Sequence, residues 1–363
     1  MTEAPPLNPR RLELARRRRG LTQVELSKRT GISARSLTAY EAGVQVPTPE
    51  SCKALDFPLE FLFGDDLDEP TAKSASFRAY TTMTARERDR ALGAGALALE
   101  VARWIDARFN LPTPAIPDLH GVKPEAAAEA LRDRWDIGER PIKNTIHLLE
   151  AHGVRVFSLS QDTKKLNAFS HWQDDVPFVF LNTMKSAESG RFDACHELGH
   201  LALHQHGGPQ GRDAEIEADR FAAAFLMPRA DVLAHANSFR YPTVATLVKL
   251  KKRWNVSAFA LVRRLSDLDL ITEWSYRTLC IELSKQGART SEPEGGERET
   301  SQVMDKVFAS LRAEQITKHD VARELMIPVN DLEEFIFGLV AISSLSGAAE
   351  GKRRRTKPDL RLV

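Results

Sequence analysis

Strong net charge, a cysteine framework and long apolar runs are all missing from this sequence. Its 363 residues carry 51 Lys and Arg against 50 Asp and Glu, a net charge of +1. The chain as a whole is no polycation, so any nucleic-acid contact must come from a local patch. Only three cysteines occur, Cys52, Cys195 and Cys280, far apart in the chain. They offer neither a disulfide framework nor a CxxC metal pair, which fits a reducing, cytoplasmic setting. Cys195 reads as a small buried filler beside its neighbours. No signal-peptide core opens the chain, and no segment is long and apolar enough to cross a bilayer, so the expectation is neither secretion nor membrane insertion. What is present is ordinary for a globular chain of one to three domains: 42% hydrophobic and 28% charged residues.

Turn and cap residues divide the chain. Residues 1–64 predict brief helices with tight turns. A basic helix follows Pro9, Thr22 caps a helix through Thr30, Gly31 breaks it, and Ser33 caps the next through Tyr40. Val24, Leu26, Ile32 and Leu37 would form a tiny core. This is the pattern of a helix-turn-helix module. Its second helix would offer Arg35 and Ser36 to a groove, with Gln23 at the start of the preceding helix. Arg35 suits guanine, because its fork matches two acceptors. The run Arg16 to Arg19 would supply backbone contact to double-stranded DNA.

Residues 65–90 read as a linker. Residues 91–266 predict an α+β domain: helices at 91–109, 124–135 and 144–152, then strands at 154–159, 167–172 and 177–181. Residues 267–345 read as a helical region, with 287–300 an exposed loop. The basic end, 346–363, reads as a disordered tail.

The most specific signal is CHELGH, Cys195 to His200. It contains H-E-x-x-H. On a helix, His196 and His200 are four apart and face one way, so they can share a divalent metal while Glu197 polarises its water. The strand Phe178 to Leu181 would be the wall for an extended peptide, and Gly199 would leave room beside the metal. A third protein ligand is needed. Glu215 and Glu217 are two apart and cannot both face the metal from a regular helix. Glu217 shares a stripe with Phe221 and Phe225 and is the expected ligand. Asp219 would orient a ligand histidine. His204 and His206 read as a histidine-rich helix end. Oxyanion or supporting roles fall to Arg191, His171 or Tyr241, with Arg191 more a positioning residue.

Residues 8–64 resemble the Xre/Cro-type, lambda-repressor-like regulators. The resemblance rests on the LTQ start at Leu21, the Gly-Ile-Ser turn at Gly31, and Tyr40-Glu41-Ala42-Gly43 followed by Pro47. It implies operator DNA, often bound as a homodimer on paired half-sites. Residues 140–230 resemble the ImmA/IrrE metallopeptidases through PFVFLN, CHELGHLALH and EIEADRFAAAFLMP. That resemblance implies a minimal thermolysin-like (gluzincin) fold, with His196, His200 and Glu217 as ligands and Glu197 as base. Zinc is the default ion, with manganese as the alternative. It also implies a protein substrate, since stand-alone relatives cleave Xre-type repressors in stress or mobile-element control.

Leu21–Glu41 aligns without a gap on Ile316–Ile336, pairing Thr22 with Thr317 and Leu37 with Leu332. This echo carries Asp331, Glu333 and Glu334 where a reading helix would meet phosphate, so it is expected to pack, dimerise or meet a partner. The whole reads as a regulator carrying a zinc-dependent endopeptidase that cuts a repressor or its own linker. The competing expectations are a non-proteolytic transcription factor that senses through the peptidase fold, and a toxin–antitoxin or docking component.

Overall fold

Caps set the opening helices. Helix α1 (Pro9–Arg18) begins where the Asn8 side chain accepts from the Arg10 amide, with Pro9 in the first turn. Helix α2 (Gln23–Thr30) opens on a reciprocal bond between Thr22 and Glu25 and ends at Gly31, which is left-handed at φ 74°. Ser33 caps α3 (Ala34–Glu41). Leu12, Leu26 and Leu37 are fully buried between these helices, and Ile32 packs against them. Val24, expected inside, is 56% exposed. The computed structural model describes residues 7–47, 53–70, 75–76, 84–159, 168–205, 211–235, 237 and 242–340.

A short strand, β1 (Ala75–Ser76), precedes α4 (Ala85–Arg108). Residues 85–90, expected in the linker, are the first turns of this helix, fixed by a capping box between Thr84 and Glu87. Every residue from Ala91 to Leu99 is buried. Its small residues let other elements touch the backbone. A Cβ on Gly93 would lie 3.3 Å from the Arg18 backbone, and one on Gly95 would lie 2.8 Å from Pro70. Helix α4 is thus the strut on which α1 rests.

Two further helices and three strands follow: α5 (Pro124–Arg134), α6 (Thr145–Ala151), β2 (Arg155–Ser158), β3 (Ala168–Gln173) and β4 (Val176–Leu181). The sheet order is β1-β3-β4-β2. Strands β2 and β4 run parallel, and the other pairs are antiparallel. Strand β4 is therefore interior, paired on both edges. It cannot accept an added peptide strand, so its expected role as a substrate wall is corrected: β3 is the strand next to the metal-motif helix.

Period-two alternation gives the sheet two apolar faces. Phe157, Phe169, Phe178 and Phe180 enter one core together with α1–α4. Val156, Ala168, Val179 and Leu181 enter a second. The second core is closed by α7 (Ala187–Leu203), α8 (Arg212–Leu226), α9 (Arg229–Ala234), α10 (Val244–Trp254), α11 (Ala258–Asp267) and α12 (Glu273–Lys285). The last helices, α13 (Gln302–Ala313), α14 (Lys318–Glu324) and α15 (Val329–Ile336), return to the first core. Phe335 meets Phe157 edge-on, their centroids 6.5 Å apart. Full burial of each such ring stabilises by about 1.5–3 kcal/mol.

The run 287–300 is a mostly exposed loop, as expected, but buried charges clasp it. Lys251 lies 3.3 Å from Glu188 and 3.2 Å from Glu292, and the Glu188 carboxylate accepts from the Gly296 amide at 2.8 Å. The acidic echo also packs within its own chain. Asp331, 1% exposed, pairs with Arg18 at 2.7 Å and Arg19 at 2.9 Å, and Glu334 pairs with Arg18 as well. The tail 346–363 lies outside the described residues.

Candidate metal centre

The CHELGH segment lies within α7, whose start is capped by the Ser186 side chain. The helix is buried almost throughout its last three turns, including His196, Glu197 and His200. Four-residue spacing stacks the two rings, with centroids 4.8 Å apart and planes at 75°. Their Nε2 atoms face each other at 3.1 Å.

Helix α8 completes the cluster from across the groove. It can approach because Gly199 has no side chain: a Cβ there would sit 3.0 Å from Phe221 and 3.3 Å from the Ala218 backbone. The glycine therefore makes room for a helix rather than for the metal. Glu215 then brings its carboxylate to 3.3 Å from His196 Nε2 and 3.5 Å from His200 Nε2. One ligand atom from each of His196, His200 and Glu215 fits within 4.8 Å of the others. Glu217, the expected third ligand, turns instead to His204, with Oε2 3.1 Å from Nε2. The correction has a helical reason. Residues two apart point about 200° from each other, at 3.6 residues per turn. The Phe221 and Phe225 stripe that favoured Glu217 does face the core, both rings being buried. The more telling signal was Glu215 with Asp219, four apart and on one face.

Asp219 accepts from His196 Nδ1 at 2.9 Å. This is the geometry that holds a ligating imidazole with its Nε2 lone pair forward. Burial opposes a charge on His196, but its bonds to Asp219 and Glu215 prevail and lift its pKa to about 9. Burial likewise opposes the Glu215 carboxylate, yet its bond from His196 leads the effects that hold its pKa down to about 2. The pocket thus favours a positive charge between two carboxylates. Two imidazoles and one carboxylate are a donor set suited to zinc, with manganese as the alternative.

Glu197 is 1% exposed, and its Oε2 accepts from the Ser170 hydroxyl at 2.8 Å. Ser170, on β3, was not anticipated. Alternation along β3 puts His171 on the opposite face, where its Nε2 lies 3.2 Å from the Gln173 side-chain oxygen. Arg191 is buried and bonds the Trp254 and Ile142 carbonyls and Glu299. It pins α7 to the neighbouring loops, so neither residue is brought to the histidine pair. Tyr241 and His206 lie outside the described residues. Cys195 is fully buried, and burial pushes its thiol up to about 12, as suits a filler.

In the N-terminal unit, Arg35 is exposed on the first turn of α3, beside half-buried Ser36. Gln23 and the basic run behave differently. Arg16 forms a bidentate pair with Glu41, which also accepts from Gln23 at 2.7 Å, and Thr38 donates to Gln23 at 2.9 Å. Arg19 bonds the Leu55 and Asp56 carbonyls as well as Asp331. Arg16 and Arg19, expected on phosphate, are tied into the protein itself. Exposed Lys28 and Arg29 on α2 are cations the sequence reading passed over.

Comparison with known families agrees with these two units. Residues 149–266 match a peptidase family described as the IrrE N-terminal-like domain. Residues 12–56 match a helix-turn-helix family. No curated protein matches the chain. Among the described residues, no helix is long and apolar enough to cross a membrane.

Proposed function

We propose that the chain is a DNA-binding regulator carrying a metal-dependent endopeptidase centre. His196, His200 and Glu215 hold the ion, Glu197 is the general base, and Arg35 with Ser36 reads an operator. The observation that carries this reading is the convergence of three ligand atoms around a spot built for positive charge. A divalent ion there would supply Lewis-acid polarisation of the scissile carbonyl and a more acidic water. Ser170 orients the Glu197 carboxylate from the side of β3. Glu197 takes a proton from the attacking water and delivers it to the leaving amine. Burial of α7 keeps these groups in a low-dielectric setting where oriented charges act strongly.

The substrate is a protein in extended form, either an Xre-type repressor in stress or mobile-element control or the chain's own connector. The second option has an observation of its own. Backbone of the connector, Ala75–Ser76, pairs antiparallel with β3, setting Ser76 opposite Ser170. Ser170 is the residue that holds Glu197. Added strands of this kind are a common way to bind extended peptides.

Incubation of zinc-loaded full-length protein, with and without a candidate repressor, tests the proposal by mass spectrometry. Wild type should yield fragments and Glu197→Gln should not, while both retain the operator. Equal fragments from both proteins would sink the peptidase role. Intact substrate and intact chain with zinc bound would favour a non-proteolytic sensor.

A further inference from the structure

Three acidic residues of α8, Glu215, Glu217 and Asp219, all reach histidines of α7 or of its C-cap, His204, but each does something different. Asp219 touches His196 directly. Among the described residues, no carboxylate bonds the Nδ1 of His200. That nitrogen lies instead 2.9 Å from Nδ1 of His204, whose Nε2 lies 3.1 Å from Glu217 Oε2. We infer that Glu217 and His204 are a positioning relay that sets the tautomer of His200. This rests on the proposed metal centre.

The logic is one of donors and acceptors. Two facing ring nitrogens at 2.9 Å need one proton between them. An ionised carboxylate only accepts, so Glu217 selects the Nε2–H form of His204. Neutral His204 then has only a lone pair at Nδ1. It can accept solely from Nδ1–H of His200. His200 is left with its lone pair at Nε2, the nitrogen that faces His196 and Glu215. Both ligand histidines are thus held by carboxylates of one helix, one directly and one through a third histidine. Glu217 is half-exposed and His204 largely covered, so the relay runs from the protein surface to the buried pair.

The test compares zinc affinity of the full-length chain, by chelator competition, in wild type, Glu215→Ala, Glu217→Ala, Glu217→Gln and His204→Gln. Removing an orienting partner of a ligand costs about 10- to 100-fold in affinity. That loss is expected for Glu217→Ala and His204→Gln, with partial recovery in Glu217→Gln, which still offers an acceptor. The cobalt-substituted absorption spectrum should keep its shape in these variants and change in Glu215→Ala. Nitrogen-15 histidine spectra of the metal-free chain should show Nδ1–H on His200 in wild type and a mixture in Glu217→Ala.

A cobalt spectrum altered as much by Glu217→Ala as by Glu215→Ala would make Glu217 a ligand and overturn the relay. So would wild-type affinity together with an unchanged His200 tautomer. Wild type that binds no zinc would defeat the metal centre, while the tautomer spectra would still decide the relay.

Discussion

Helices α2 and α3 and their echo, α14 and α15, share a frame down to the backbone, yet they face opposite fates. Thr22 with Glu25 and Thr317 with Asp320 form matching capping boxes. Gly31 and its counterpart Met326 are both left-handed, at φ 74° and 56°. Gly43 and Gly338 are both at 71°. Leu37 and Leu332 are both buried. Where the first copy shows Arg35 and Ser36 to the outside, the second carries Asn330 and Asp331, and Asp331 is buried on Arg18. Caps and apolar spacing make the shape, and a few polar residues decide whether it meets a partner or its own chain. The echo has taken up Arg18 and Arg19, cations that would otherwise be available to phosphate.

The sharpest way to break this comparison is Arg18→Ala. It takes one of two arginines from buried Asp331, leaving it on Arg19, and should cost about 3 kcal/mol, the low end for a broken buried pair because Arg19 stays, read by chemical unfolding. Arg35→Ala, on the exposed copy, should leave stability within about 0.5 kcal/mol. Similar losses from both would mean the two copies are not divided into packed and presented faces.

Next is the seat of the echo. Glu150 accepts from the amides of Gln302 and Val303, at the start of the helix that leads to it. Burial outweighs those bonds and raises its pKa to about 7. A carboxyl with a raised folded-state pKa contributes stability that is complete below its unfolded value near 4.5 and lost as pH rises through about 7. Unfolding free energy should fall over that window by up to about 3 kcal/mol. Glu150→Gln should flatten the profile. A wild-type profile with no such fall would remove Glu150 as its cause.

Operator binding gives a smaller effect. Arg35→Ala should weaken it by about 1–3 kcal/mol and relax choice at one base pair, whereas Asp331→Asn should leave base preference unchanged. Loss spread evenly over all base pairs would make Arg35 a phosphate contact. The smallest effect is at the turn. Met326→Gly should stabilise by about 1 kcal/mol by relieving left-handed strain, and Gly31→Ala should cost a similar amount, since open space surrounds that position. Thermal melts of the pair check both signs.

The legible parts were those governed by neighbours in sequence. Caps at Thr22, Ser33 and Thr317 and the break at Gly31 fall where the residue types put them. The His196–His200 stripe needs only one helical turn. Glu215 was harder to find, because the choice between it and Glu217 depends on how α8 rolls against α7. That roll follows from the contact of Gly199 with Phe221 and Ala218. Arg16 and Arg19 were misjudged for a related reason. An arginine reads as exposed charge until a partner such as Glu41 or Asp331 is brought beside it from far along the chain.

By itself, the sequence determined the helix-turn-helix frame, its acidic echo, and a paired-histidine helix with a glutamate between. These follow from local spacing and capping, which act over a few residues. Tertiary structure alone decided that Glu215 meets the histidines, that Glu217 stands behind His204, and that the echo lies against Arg18. Each depends on the approach of elements distant in the chain, set by where small residues let backbones close and where buried charges find a counter-charge.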